Sequence, residues 1–258
     1  MIALVTPSLS DLWEAGQQVY DAFNPATASG IALDNIVALS GISRFASRKT
    51  TAQCVVEGDF GSSVGTLARA RSITSLQTYA PTELTAFNAK SCVGVGVSVL
   101  SVQNNTAYTI RYTNDVGVTY TTFTITSDAT ATSTEILTAL MNYVNTNAGG
   151  VVKAYMKNNF MYIERLDPFQ VVDFEVSSNL MFSKSLKLAT FECEIIGPVE
   201  EQANTITGIA VPQIGWDSIY NPLKADTGRI EETDEELRER FRNAKFTQAS
   251  NILEALTS

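Results

Sequence analysis

The chain has 258 residues, of which 45% are hydrophobic and 17% are charged, and its formal net charge is −9. This length and composition are typical of a globular protein of one or two domains with a sizeable buried core. The acidic balance argues against a basic face for nucleic acid, and the absence of histidine removes the commonest general base and metal ligand.

Cysteine usage and hydropathy narrow the class of protein further. The three cysteines, Cys54, Cys92 and Cys193, lie far apart with no CxxC pair, which indicates neither a zinc site nor a disulfide framework. The first residues lack the features of a signal peptide, and no window holds 18 uninterrupted apolar residues. We therefore expect cytoplasmic synthesis, no cofactor and no membrane insertion.

The first 45 residues are predicted to form two helices, the first of them capped by Ser8 or Ser10. The first helix has an apolar stripe at helical spacing, which comprises Leu9, Leu12, Trp13, Gly16, Tyr20 and Phe23. After a break at residues 24–30, the second helix is predicted to end at Gly41. Its inward side chains are expected to be Ile31, Ile36, Leu39 and Ile42. We interpret the stripe of the first helix as core, and a surface that faces a partner is the alternative.

From Thr50 onward the hydrophobic pattern has a period of two, which indicates strands. The segment TAQCVVEG is predicted to be a strand, and the glycine-rich stretch GDFGSSVGTLARARS turns and continues as extended chain. Neither this stretch nor VGVGV at residues 93–97 has the spacing of a phosphate-binding loop. We expect backbone turns to explain both glycine runs.

The middle of the chain is predicted to form a small β-β-α-β-β module. Its first hairpin, AYTIRYT and VTYTTFTIT, is turned at residues 114–117. One face of the first strand carries Tyr108, Ile110 and Tyr112. The helix that follows is capped by Thr132 or Ser133, near Glu135 in its first turn. Its apolar face comprises Ile136, Leu137, Leu140, Met141 and Val144.

A second hairpin, VVKAYMKNNFMYIERL, is predicted to turn at Asn158 and Asn159, which tolerate positive φ, and VDFEV adds a strand. The strands before and after the module are expected to form one sheet, so the module is an insertion. Because its two crossings lie near Val97 and Leu186, the module is also predicted to pivot as a unit.

The predicted fold class is therefore α+β: N-terminal helices, a β-rich body and an inserted β-β-α-β-β module, ending in a capped helix. Four segments are expected. They are an N-terminal helical segment at 1–48, the body at 49–96 and 187–228, the inserted module at 97–186, and a C-terminal helical segment at 229–258.

The stretch TGRIEETDEELRERF, residues 227–241, concentrates charge in a lightly charged chain. Thr233 and Glu236 fit a capping box. The acids crowd the predicted helix start and the cations follow, as the helix dipole favours. Asp234 with Arg238, and Glu236 with Arg240, are predicted i,i+4 pairs, while Leu237 and Phe241 share the apolar face. We interpret the cluster as a helix N-terminus whose charges have local structural reasons, and not as a catalytic or metal site.

Three stretches, in order along the chain, match motifs of one family. The first is LWEAGQQVYDAFNPATASGIALDNIVALSGISR, which matches at Ala28, Gly30, Leu33, Asp34, Gly41 and Arg44. The second is VVEGDFGSSVGTLARA, which matches at Gly58, Gly61, Ser62, Val64 and Thr66. The third is GIAVPQIGWDSIYNPLKADTGRIEETDEELRERF, which matches at Gly215, Ile219, Asn221, Pro222, Gly228, Glu232, Thr233, Asp234, Glu235, Leu237, Arg238 and Arg240. In the second stretch Gly65 comes one place early, and the usual proline is absent.

These stretches resemble the baseplate J-like proteins of contractile-tailed bacteriophages and related contractile injection systems. The resemblance implies a structural wedge subunit, present in several copies around the tail hub of the virion baseplate and assembled in the host bacterial cytoplasm. Expected partners are other baseplate wedge and hub proteins and further copies of the chain, partly through helical bundles, with rearrangement when the sheath contracts. Such proteins continue beyond this helix, so TQASNILEALTS is expected to begin a further C-terminal domain.

Two other classes of function stay open. A carbohydrate- or receptor-binding β-rich module of a phage tail would use the Tyr- and Thr-rich strands around residues 108–125, whose aromatic rings could stack on sugars. An enzyme such as a glycosidase or wall hydrolase would need two carboxylates facing each other across a cleft. The sequence nominates no such pair.

Overall fold

The computed structural model describes residues 2–114 and 119–257, with side chains for residues 10–114 and 119–245. Within these ranges the helices are α1 Ile2–Ala22, α2 Gly30–Ala38, α3 Ser133–Asn147 and α4 Asp234–Thr257. The first seven strands are β1 Lys49–Asp59, β2 Ser63–Val64, β3 Arg69–Ser72, β4 Thr78–Pro81, β5 Thr85–Ala86, β6 Gly94–Val99 and β7 Ala107–Thr113. The remaining strands are β8 Thr121–Thr126, β9 Val152–Lys157, β10 Phe160–Arg165, β11 Asp173–Val176, β12 Leu180–Ile196, β13 Ile206–Val211 and β14 Trp216–Tyr220. These elements confirm the α+β fold class.

Two compact units make up the chain. The helical unit combines Met1–Arg48 with Arg229–Ser258, and the β unit is Lys49–Gly228. Among the described residues, no helix is both long enough and apolar enough to cross a membrane.

A nine-stranded antiparallel sheet organises the β unit. Its main path runs β13-β3-β4-β12-β6-β10-β9, and β1 pairs with both β12 and β14. The 17-residue strand β12 lies along β1 on one edge, with Cys54 opposite Ala189, and along β6 and then β4 on the other. The strands before and after the middle segment therefore belong to one sheet, as the sequence predicts.

The middle segment has the predicted β-β-α-β-β order, but its two hairpins join different sheets. Strands β7 and β8 form a separate sheet with β11, the predicted VDFEV strand, whereas β9 and β10 extend the large sheet through β6. The expected boundary at Leu186 falls inside β12, so a continuous strand occupies the place of the expected hinge. The predicted turn at residues 114–117 lies largely outside the described residues, which end at 114 and resume at 119.

Local signals at α3 and the second hairpin follow the prediction. Thr132 is the N-cap of α3, and its hydroxyl accepts from the Glu135 N–H while the Glu135 carboxylate accepts from the Thr132 N–H. The turn between β9 and β10 places Asn158 at φ 51° and Asn159 at φ 65°, in the left-handed region that asparagine tolerates.

Two large hydrophobic cores lie in the β unit, together with a smaller cluster of Val55, Val93, Tyr162 and Leu186. One packs α3 against both sheets and includes Tyr108, Ile110, Phe123, Leu140 and Cys92. The other lies in the body and includes Cys54, Tyr79, Phe191, Cys193 and Trp216. Burial raises the pKa of the Cys54 and Cys92 thiols to about 12.

The glycine run at residues 93–97 is a strand and not a turn, which corrects the prediction. Gly94 and Gly96 lie in β6 between β10 and β12. A side chain at Gly94 would collide with Glu164 and with the backbone of Ile163, and one at Gly96 would press on Lys184. These glycines therefore serve close approach of neighbouring side chains and backbone.

The helical unit has a small core between α2 and α4. Its buried members are Ala28, Leu33, Val37 and Leu237, and Ala32, Ile36, Ile42 and Phe241 pack against them. The predictions for Ile31 and Leu39 are wrong, because both side chains are exposed. At 100° per residue, these two positions lie away from the face that Leu33 and Val37 define. The cap prediction is also wrong: α1 begins at Ile2, so Ser8 and Ser10 lie inside the helix and not at its start.

Candidate functional site

The apolar stripe of α1 is uncovered, so its interpretation as core is wrong. Its described large side chains are exposed, with fractions of 70% for Leu12, 76% for Trp13, 69% for Tyr20 and 79% for Phe23. Val19, which the prediction did not include, lies on the same face and is 60% exposed. The side chain of Leu9 lies outside the described residues. A row of this kind on one helix face is typical of a surface that binds another protein.

The motif residues of the helical unit converge on Arg44, whose side chain is 13% exposed. Its Nε and Nη2 donate to Asp34, its Nη2 also lies 2.5 Å from Asp234 Oδ1, and its Nη1 donates to the Glu232 carbonyl at 2.7 Å. Asp234 Oδ2 accepts from the Gly30 N–H at 3.0 Å. These bonds, first from Gly30 and then from Arg44, lower the pKa of Asp234.

Glu232 forms a further ion pair of this junction, with Arg240. Its carboxylate accepts from Arg240 at 2.6 and 2.7 Å and from the Phe45 N–H at 3.0 Å. The Arg240 contact, opposed by burial, lowers the pKa of Glu232. Arg240 also donates to the Ser43 carbonyl, and its guanidinium lies 4.0 Å from the centre of the Phe45 ring.

The two predicted i,i+4 pairs of α4 are therefore wrong. Asp234 binds Arg44, Arg240 binds Glu232, and Arg238 donates to the Ala28 carbonyl at 2.8 Å. The capping box is confirmed, since the Glu236 N–H donates to Thr233 Oγ1 and the Thr233 N–H donates to Glu236. The charges of α4 serve long-range contacts that a local pattern does not show.

Motif residues in the β unit occupy turns and backbone crossings. Gly61 and Gly215 have φ of 90° and 83°, and the Gly215 carbonyl accepts from the Asp59 N–H and from Ser62 Oγ. Gly58 faces Gly215 and Phe87 so closely that any side chain there would collide with them. These positions require glycine because of conformation or space.

The other motif residues also hold backbone in place. The Asn221 side chain, just before Pro222, accepts from the N–H groups of Thr205 and Ile206 and donates to the carbonyls of Gln202 and Leu223. The Gly228 N–H donates to Thr50 Oγ1, and Gly41 ends the turn after α2 at φ 73°.

Glu57 is a buried carboxylate that the sequence pattern did not single out. Its oxygens accept from Lys157 at 2.7 Å, Tyr162 at 2.6 Å and Ser218 at 2.9 Å. Burial would raise the pKa of Glu57, but these three contacts outweigh it and lower the pKa. The signal available was a charged residue inside an otherwise apolar strand. Its hydrogen-bond partners lie at positions distant in sequence, so the sequence does not show that these residues meet.

Three of the four aromatic rings in the region proposed for sugar stacking are buried in the core: Tyr108, Tyr112 and Phe123. The fourth, Tyr120, is half-buried; its hydroxyl donates to Glu175 and Arg111 lies over its ring. Among the residues with described positions, no three His, Cys, Asp or Glu side chains are placed to hold a metal.

A groove of about 480 Å³ lies beside the start of α4. Asn24, Pro25 and Ala26 line one part, and Arg238, Phe241, Arg242 and Lys245 line the other. Arg238 Nε is buried and has no hydrogen-bond acceptor among the described residues. The groove thus combines an apolar floor with three cationic side chains.

Comparison with known protein families finds no model that matches the chain, and comparison with curated proteins finds no matching sequence. The features that bear on function are therefore the exposed α1 stripe, the Arg44 junction and the α4 groove, all in the helical unit.

Proposed function

We propose that this chain is a structural wedge component of a contractile tail baseplate. It would assemble with further copies of itself and with other wedge and hub proteins, and transmit their rearrangement when the sheath contracts. This role places it in the virion tail baseplate, after assembly in the host bacterial cytoplasm. The support comes from the motif resemblance, together with the positions that the motif residues occupy.

The observation that carries the proposal is the exposed stripe of α1. Leaving three aromatic rings and two large aliphatic side chains in water is unfavourable, and burying them against a partner removes that cost. A protein whose role is assembly gains affinity from such a face.

The charged side chains of the helical unit support the same role. Arg44, Glu232 and Arg240 hold backbone and side chains of separated segments of this unit together, which is a structural role. In the β unit, the Glu57 carboxylate accepts hydrogen bonds from three side chains, which is typical of a carboxylate with a structural role.

The test is reconstitution with the proteins encoded by the neighbouring reading frames. We expect the purified chain to co-migrate with them on a sizing column as a stoichiometric complex. Trp13→Ala should weaken the complex, whereas Ile214→Ala removes another exposed apolar side chain, which lies outside the stripe, and should not. Persistent separation of the wild-type chain from every neighbour would reject the proposal, and binding on a glycan array would favour a carbohydrate-binding module.

A further inference from the structure

Strand β8 forms one edge of the three-stranded sheet, and its outer side is open. The order of this sheet is β11-β7-β8, so β7 is the strand that pairs with β8. The Ser127 N–H donates to the Thr106 carbonyl at 3.0 Å, so the residues of β8 in phase with Ser127 direct their backbone groups toward β7. The N–H and C=O groups of Thr122, Thr124 and Thr126 therefore point away from the sheet, because these directions alternate along a strand. Among the residues whose positions are described, none supplies a hydrogen-bond partner for these outer groups.

Two other strand edges of the β unit are covered. At the opposite edge of the same sheet, the Phe174 N–H of β11 donates to the Ala89 carbonyl at 2.8 Å. At the β9 edge of the large sheet, the Asn145 side chain of α3 accepts from the Ala154 N–H and donates to the Ala154 carbonyl, each at 2.8 Å. Natural proteins also protect open edges with charged residues, proline or bulges. Strand β8, with the sequence TTFTIT and an even register on β7, has none of these.

We propose that β8 pairs antiparallel with β8 of a second copy of this chain, so that two three-stranded sheets become one six-stranded sheet. The pairing is centred on Thr124, which lies opposite Thr124 of the second copy, while Thr122 lies opposite Thr126. This contact deepens the proposed assembly role and rests on it, because it identifies a surface through which copies of the chain associate.

The backbone of β8 is complementary to itself in this register. All three outward residues of each strand take part, which gives roughly six backbone hydrogen bonds, two for each of the three pairs. A symmetric pairing centred on Phe123 or Ile125 would use only two outward residues of each strand. The number of backbone hydrogen bonds therefore selects the register centred on Thr124.

The side chains agree with the same register. On one face, threonine lies opposite threonine, which continues the row that Thr109 and Thr124 already form through hydroxyls 2.9 Å apart. On the other face, the buried Phe123 lies opposite Ile125, which is half-buried in the single chain. Thr–Thr and aromatic–β-branched pairs are both favourable between antiparallel strands. Since β8 contains no charged residue, no like charges meet across the two-fold axis.

An extended segment of a different protein is the other candidate for this edge. We favour the second copy because β8 itself supplies a strand of the correct length, neutrality and pairing pattern, and two-fold contacts are the commonest among homo-oligomers. Six residues from each chain bury less area than a standard stable interface, so we expect a reversible dimer that forms at high protein concentration.

The symmetry allows a charge-swap experiment with the full chain. Because Thr124 lies opposite its own copy, Thr124→Lys or Thr124→Glu brings two like charges together, and each variant should dimerise about two- to fivefold more weakly in sedimentation velocity. An equimolar mixture of the two variants should form heterodimers and recover at least the wild-type dimer fraction. Thr124 is exposed, so circular dichroism should show an unchanged fold. Gln53→Lys, at an exposed position of β1, adds the same charge elsewhere and should leave dimerisation unchanged.

Thr124→Pro tests the backbone contact itself. It removes the N–H at the centre of the pairing but not a bond to β7, since this N–H points outward, and proline is tolerated at such edge positions. Dimerisation should weaken about tenfold or more. A mixture of the charged variants that dimerises no better than either alone would overturn the proposal. So would self-association that Trp13→Ala abolishes and Thr124→Pro leaves intact, because it would assign the contact to α1.

The same runs separate this inference from the assembly role. A wild-type chain that stays monomeric alone, yet sediments with the neighbouring tail proteins, overturns the β8 pairing and leaves the proposed function standing. If Thr124→Pro then weakens that complex, the edge belongs to a different protein. A chain that dimerises as described, but never binds the neighbouring tail proteins, overturns the proposed function.

Discussion

At the scale of single residues, Arg44 joins segments that lie far apart in sequence. It binds Asp34, which lies ten residues earlier in the sequence, and Asp234, which lies 190 residues later. Its planar guanidinium can serve several acceptors at once, which a lysine ammonium cannot do in the same geometry. The stability of the α2–α4 contact therefore depends strongly on Arg44, although this side chain is partly exposed.

Arg44→Met should loosen the helical unit. It leaves Asp34 and Asp234 without their cation and frees the Glu232 carbonyl, so we expect amides of α2 and early α4 to exchange about tenfold faster or more. Lys224→Ala removes a positive charge from an exposed position of the other unit and should leave these rates unchanged. Equal rates in Arg44→Met and the wild type would show that the junction is not stabilising.

The same junction should respond to acid. The folded-state pKa values of Glu232 and Asp234 are lowered from 4.5 and 3.8, so each carboxylate stabilises the fold above its ordinary pKa. That contribution disappears as the pH falls through the lower, folded-state values. Protection of the α4 amides, corrected for intrinsic exchange, should therefore be flat near neutral pH and decline only below pH 4.5.

Glu232→Gln provides the comparison for the acid response. It removes one titrating group, so protection should be lower at neutral pH and should decline less steeply in acid. A variant whose protection follows the wild-type profile throughout would assign the acid response to other carboxylates.

At the scale of elements, α3 shows what a local pattern can predict. Its apolar spacing and its Thr132–Glu135 cap both lie within a few residues, and both are present in the structure. The Asn158–Asn159 turn is local in the same way. Patterns of this kind succeed because the interactions that cause them join residues close together in sequence.

Thr132→Ala should therefore destabilise the β unit by about 1 kcal/mol, within the range of 0.5–2 kcal/mol seen for lost N-caps. The control is Thr134→Ala, an exposed position in the first turn that makes no cap contact. Urea unfolding of both variants measures the difference. A Thr132→Ala midpoint equal to that of Thr134→Ala would show that the cap adds nothing.

The same local reasoning failed where the partner lies outside the predicted pair. The i,i+4 pairs of α4 are sound in an isolated helix, yet Asp234 binds Arg44 and Arg240 binds Glu232, while Glu236 takes part in the capping box with Thr233. The stripe of α1 was recognised as a face to be buried, but periodicity does not say what covers it. Thus the motif residues could be found from sequence, whereas their convergence on one junction could not.

At the scale of the whole molecule, strand β12 connects the two cores of the β unit. Its early residues, including Leu180, reach the core around α3, and its later residues, including Phe191, reach the body core. The sequence patterns placed a domain boundary at residue 186. There β12 continues unbroken, and the strand that pairs with it changes from β6 to β4. We therefore expect both cores to unfold together.

Leu140→Ala tests this coupling, because Leu140 is buried in the α3 core and Trp216 in the body core. In a Trp13→Phe background, Trp216 is the sole tryptophan. The cavity should lower the free energy of unfolding by about 2–5 kcal/mol, and Trp216 fluorescence should report the full loss in urea. Leu84→Ala, at an exposed position, is the control. A Trp216 transition that does not move would mean that the cores unfold independently.

The three buried thiols make it possible to measure how fast the cores of the β unit open. A maleimide can reach Cys54, Cys92 or Cys193 only after the surrounding core has parted, since all three are buried in the native chain. The labelling rate of Cys92 would report the opening of the core around α3, and the labelling rates of Cys54 and Cys193 would report the opening of the body core. While the chain stays folded, the same enclosure keeps these sulfurs from forming crosslinks between copies in air.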